Sequence, residues 1–83
     1  MLVEAVDSLH RLDYKSALQE LVVRAGKPVP TYKVTSSGPD HDKIFVAKVR
    51  VSRRTVGRGE GRSKKAAEQA AAADAYDAFA AQP

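Results

Sequence analysis

Arg62, Lys64 and Lys65 crowd around Ser63, where a glycine-bearing stretch gives way to a run of alanines. Ser63 is a good N-cap, so these bases surround the start of a helix. Free N–H groups and the positive end of the helix dipole suit a phosphate there. Cations at that end oppose the dipole and cost the helix about 0.3 kcal/mol or more each. Their placement makes sense if an anion completes the site; the plain alternative is a set of ordinary surface bases. His41 lies in a Gly-Pro-Asp-His-Asp segment between two strand-like runs. A lone loop histidine is most often solvated, but it can also donate and accept hydrogen bonds to a ribose or a base edge. Ser16, Gln19 and Glu20 fall on the polar side of an amphipathic stretch, where they read equally as routine helix surface. An acidic side chain inside a nucleic-acid face needs a donor, such as a 2′-OH.

Other chemistries find little footing. The chain has no Cys, which excludes disulfides and Cys-ligated zinc or iron–sulfur sites. His10 and His41 are far apart in sequence, no carboxylates pair at a helical or strand spacing that suggests metal binding, and neither histidine has a nucleophile or acidic orienter nearby. Gly57-Arg58-Gly59-Glu60-Gly61 matches neither the dinucleotide fingerprint nor the P-loop spacing. No cofactor or small-molecule substrate is expected.

Charge narrows the partner class. Residues 41–65 hold nine of the fourteen Lys and Arg and only Asp42 and Glu60 among acids, so this block carries +7 within a chain of net +4. Such a block suits a polyanion, although a solvated strand face would look the same. At 83 residues the chain has room for one domain. No run approaches the roughly 20 apolar residues of a membrane span. Met1–Asp7 has no basic stretch before an apolar one, so no secretory signal is expected. The expectation is a small soluble domain with a cytoplasmic location.

The elements that must position these residues follow from periodicity. Leu2, Val3, Val6, Leu9 and Leu12 fit one face of a short helix, and 1–12 reads as an N-terminal extension or linker. The domain proper is expected over 13–81. Asp13 is the expected N-cap of a helix over about 14–25, with Ala17, Leu18, Leu21, Val22 and Ala25 as its apolar stripe. Gly26, Pro28 and Pro30 stop it. Strands are expected at 31–37, 43–51 and 55–61, the second with Phe45, Ala47, Val49 and Val51 on one face. Gly57, Gly59 and Gly61 share one side of the third, which marks close approach by another element. From Ser63 the chain turns helical to Ala81, with Ala67, Ala71, Ala75 and Phe79 as the core stripe and Ala72 and Tyr76 beside it. The expected fold is α+β, in the order α-β-β-β-α, with a three-stranded antiparallel sheet and two helices packed on one face.

Five motifs in this order resemble the double-stranded-RNA-binding domain. They are Leu18-Gln19-Glu20-Leu21, Pro30-Thr31-Tyr32, Gly38-Pro39-Asp40-His41, the glycine-rich stretch from Gly57 to Gly61, and Arg62-Ser63-Lys64-Lys65 running on through Ala66-Ala67-Glu68-Gln69-Ala70-Ala71. The likeness covers about 13–80, and its form is that of the C-terminal domain of bacterial ribonuclease III. It implies double-stranded RNA as partner, held in three regions. Gln19 and Glu20, with Ser16, would meet 2′-OH groups in a minor groove. His41 would enter the next minor groove. Lys64 and Lys65, with Arg62 and Ser63, would span the intervening major-groove phosphates.

Two departures stand out. Glu68 occupies a position where many members of the family have a third Lys. The carboxylate cluster that holds Mg²⁺ in a ribonuclease III nuclease domain has no counterpart, so this chain by itself is expected not to be an enzyme. An attached nuclease domain or a homodimer is a further expected partner. The alternative function is a stand-alone adaptor that dimerises, through the apolar face of 1–12 or the outer face of the second helix.

Overall fold

The first helix begins at Tyr14, but Asp13 does not cap it. In the computed structural model, which describes residues 13–80, Asp13 has φ −114° and ψ 54° and its carboxylate accepts no bond from the first turn. The Tyr14 N–H donates instead to Gln69 Oε1 at 2.7 Å, on the other helix. The expected local cap is thus replaced by a tertiary one. The role expected of 1–12 lies outside the described residues.

Helix α1 spans Tyr14–Arg24, one residue shorter than expected. It ends in a Schellman turn: Gly26 N–H donates to Val23 O at 2.9 Å and Lys27 N–H to Val22 O at 3.1 Å. That turn needs a left-handed residue, which Gly26 supplies at φ +81°. Leu18 and Val22 of its stripe are buried, whereas Ala25 is exposed.

Strands β1 (Thr31–Ser37), β2 (Ile44–Val51) and β3 (Arg54–Gly61) form an antiparallel sheet in that order. The inner face of β2 is the expected one, with Ala47, Val49 and Val51 buried and Phe45 half-buried. On β1, Tyr32 and Val34 turn inward between exposed polar neighbours. The β2–β3 connection is tighter than expected. Ser52 and Arg53 alone make the turn, both at positive φ, and Arg54 already pairs with Val51. A register irregularity between Val49 and Arg50 leaves Val56 without a partner on β2.

Helix α2 spans Lys64–Ala80 and lies across β2 and β3. Its buried stripe is Ala67, Ala71, Ala72 and Ala75, with Tyr76 and Phe79 at the margin. A Cβ built on Gly57 would lie 2.5 Å from Ala71 O, and one built on Gly59 would overlap the Ala71 nitrogen. Methyl side chains on the helix and bare α-carbons on the strand let the two backbones nearly touch. Asp74 Oδ2 then accepts the Arg58 N–H at 3.0 Å. β3 is a sheet edge, so this bond occupies a main-chain donor that would otherwise be open to another chain.

Candidate nucleic-acid interface

Ser63 does cap α2. Its Oγ accepts the Ala66 N–H at 3.0 Å, and its carbonyl accepts from Ala67 at 3.0 Å. Lys64 and Lys65 therefore occupy the first two helical positions. Both are exposed, no acid lies in that turn, and among the described residues neither is in an ion pair. Two unneutralised cations above the free N–H groups of a helix form an anion-attracting end.

Arg62 is different. Its Nη1 donates to Asp42 Oδ1 at 3.3 Å, joining the mouth of α2 to the β1–β2 loop. Both side chains are largely exposed, so the pair orients more than it stabilises. The loop has its own turn, in which Asp42 N–H donates to Pro39 O at 2.9 Å and Asp40 and His41 sit at the tip. Gly38 has φ +96°, and a Cβ there would stand 2.8 Å from Asp42 O. The loop thus requires glycine at its base to hold His41 out as an exposed side chain.

Ser16, Gln19 and Glu20 are exposed on the face of α1 turned away from Leu18 and Val22. Gln19 and Glu20 line a shallow groove with Val23 and Arg24. Val23, half exposed, is an apolar member of this face.

α1 and α2 are tied beside these contacts. Lys15 Nζ lies 2.6 Å from Glu68 Oε1 and 4.9 Å above the centre of the Tyr32 ring. Among the described residues, Tyr32 Oη is buried without a hydrogen-bond partner. Burial, aided by the negative charge of Glu68, pushes the Tyr32 hydroxyl up to about 12. Local spacing could not reveal Lys15, Gln69 or Asp42 as site-building residues, because their partners lie 20 to 55 positions away.

The rest of the basic block is elsewhere. Register places Lys48 and Arg58 of that block beside Lys33 of β1 on the outer face of the sheet, where Arg58 pairs with Glu60 at 2.9 Å. Among the described residues, no group of three or more His, Cys, Asp or Glu could hold a metal ion, and no helix is long and apolar enough to cross a membrane.

The family model described as the double-stranded RNA binding motif matches residues 14–78. A protein named Ribonuclease 3 from Nocardia farcinica is 52% identical over 71 residues, which are 86% of this chain and 30% of that protein. Ribonuclease 3 from Mycobacterium tuberculosis H37Rv is 57% identical over 82% of this chain and 28% of its own length. The chain thus spans less than a third of the curated relatives it matches. Among solved structures, one of Arabidopsis HYL1 superposes with TM-score 0.73 at 33% identity, over 82% of this chain and 97% of that one. Dicer from Pichia stipitis gives 0.66 at 32% identity, over 80% of this chain and 32% of its own. With the α-β-β-β-α order, the capped and doubly basic start of α2 and a match over most of its length, this chain belongs to the double-stranded RNA binding motif family.

Proposed function

We propose that this chain binds double-stranded RNA by shape, phosphate and 2′-OH recognition, and that it serves as the substrate-binding domain of a cytoplasmic ribonuclease III. The observation that carries the reading is the start of α2. Among the described residues, Lys64 and Lys65 have no acidic partner, and they stand on a Ser63-capped turn that suits phosphate. In this reading they bridge the major-groove phosphates, with Arg62 and Ser63 beside them. Ser16, Gln19 and Glu20 meet ribose hydroxyls in one minor groove and His41 those in the next. Glu20 suits RNA over B-DNA because a 2′-OH can donate to its carboxylate.

The catalytic step belongs to a nuclease domain attached to this one, for which the remaining length of the Ribonuclease 3 relatives leaves room. Dimerisation of the whole enzyme belongs to the same proposal. The test is a gel-shift titration of Lys64→Ala/Lys65→Ala at two salt concentrations. The double variant should bind duplex RNA much more weakly, with a salt slope shallower by about two ions. Unchanged affinity and slope would remove the basis of the proposal.

A further inference from the structure

Glu68 lies one helical turn beyond Lys64, at i+4, and three residues beyond Lys65. Charge counting alone makes it a flaw: a carboxylate beside the phosphate-facing bases should cost RNA affinity. The structure turns it elsewhere. Its Oε1 is 2.6 Å from Lys15 Nζ, and its side chain is only 23% exposed, so the carboxylate faces α1 and not the open mouth of α2. The Lys15 ammonium, partly open to solvent, also lies 4.9 Å from the centre of the Tyr32 ring. The cluster thus joins α1, β1 and α2 at one point. One position on, Gln69 caps the first N–H of α1.

We infer that Lys15 and Glu68 are a positioning pair for RNA recognition: they fix the rotation and register of α1 against α2, and so the spacing between the Ser16–Gln19–Glu20 face and the Lys64–Lys65 turn. This rests on the duplex-RNA reading above. Leu18 and Val22 bury the inner stripe of α1, Tyr14 packs edge-on against Tyr76 and donates its N–H to Gln69, and the Lys15–Glu68 pair adds a lateral tie on the next residue. Lys15 adjoins Ser16 and lies one turn before Gln19, so holding its ammonium fixes the angle at which those side chains project. Two contact regions on one rigid duplex must match its groove spacing, so an error in register costs affinity only when both are engaged.

Affinity is measured for the whole chain on duplex RNA of about 16 bp, which reaches both regions, and of about 8 bp, which does not. The variants are Glu68→Ala, Lys15→Ala, their combination, and the charge swap Lys15→Glu/Glu68→Lys. Electrostatics alone predicts that Glu68→Ala tightens binding. The positioning role predicts that it weakens binding to the long duplex by about threefold to fivefold, with little change on the short one. Lys15→Ala should do the same, the combination should be no worse than either single change, and the swap should restore most of the loss. Gln69 and the apolar core remain in every variant, and melting temperatures report any general loss of fold. Tighter binding by Glu68→Ala, additive losses, or equal losses on both duplexes would overturn the inference. Failure of the unaltered chain to bind either duplex would instead overturn the duplex-RNA reading.

Discussion

The α-carbon of Gly59 lies against the backbone of Ala71, so close that a methyl group on Gly59 would overlap the Ala71 nitrogen. This contact sets the height of α2 above the sheet, and with it the position of the Lys64–Lys65 turn. Little at the site can yield, because two of the three nearest atoms are main chain and the third, the Ala70 Cβ, moves only with its backbone. Gly59→Ala should therefore lift α2 and cost about 3 kcal/mol or more, at the upper end for overpacked cores. Thermal unfolding checks it. A melting point within a few degrees of the parent would show that the helix can give way.

Ser63 has two roles that substitution can separate. Ser63→Ala removes the acceptor for the Ala66 N–H and should cost about 1 kcal/mol of stability, with fraying of the turn that carries both lysines. Ser63→Asp keeps a cap and favours the dipole, so stability should hold or rise. It also places a negative charge where phosphate is to bind, so RNA affinity should fall. Melting curves and gel shifts on the two variants should move in different combinations. Equal affinity for Ser63→Asp and the parent would detach this turn from phosphate binding.

The β2–β3 turn holds Ser52 at φ 53° and Arg53 at φ 68°, conformations that suit Asn-Gly in a two-residue hairpin. Arg53→Gly should relieve strain and stabilise the fold by about 1 kcal/mol, which for a domain of this size raises the melting point by about 4–8 °C. RNA affinity should stay the same, because the turn lies outside the three proposed contact regions. A drop in affinity would show that the basic hairpin tip takes part.

Tyr32 gives a pH prediction. Its folded-state value is raised from 10.0 to about 12, chiefly by burial and then by the charge of Glu68. The neutral hydroxyl is favoured in the fold, so its contribution to stability is intact below pH 10 and is lost as pH rises through about 12. Absorbance titration should show a late phenolate transition that Tyr32→Phe abolishes. The same variant should be at least as stable as the parent at neutral pH, because the buried oxygen has no partner to lose among the described residues. Retention of the late transition in Tyr32→Phe would refute the assignment.

Much of the fold is legible in local pattern. Phe45, Ala47, Val49 and Val51 alternate, and Ala67, Ala71, Ala75 and Phe79 repeat every four residues, so strand and helix faces follow from period alone. The three glycines of β3 announced a close neighbour, and Ser63 announced the start of α2. What stayed hidden depends on long-range partners. Asp13 has the chemistry of a cap, but Gln69, 56 residues later, supplies the acceptor. Glu68 reads in sequence as the lack of a cation, and only the fold puts Lys15 beside it. The basic block did not divide itself either. Only the sheet register separates Lys48 and Arg58, beside Lys33 on the outer face, from the bases at the α2 mouth.

A surface that reads the A-form shape and ribose hydroxyls of duplex RNA, as proposed, must tell it from DNA of the same sequence. A competition assay tests this most directly, with the chain bound to labelled duplex RNA and challenged by unlabelled duplex RNA, duplex DNA of the same sequence, and single-stranded RNA, all at one salt concentration. The account predicts that only duplex RNA competes at stoichiometric amounts, with DNA and single strands weaker by an order of magnitude or more. Equal competition by duplex DNA would contradict it, because the contacts would then be electrostatic alone.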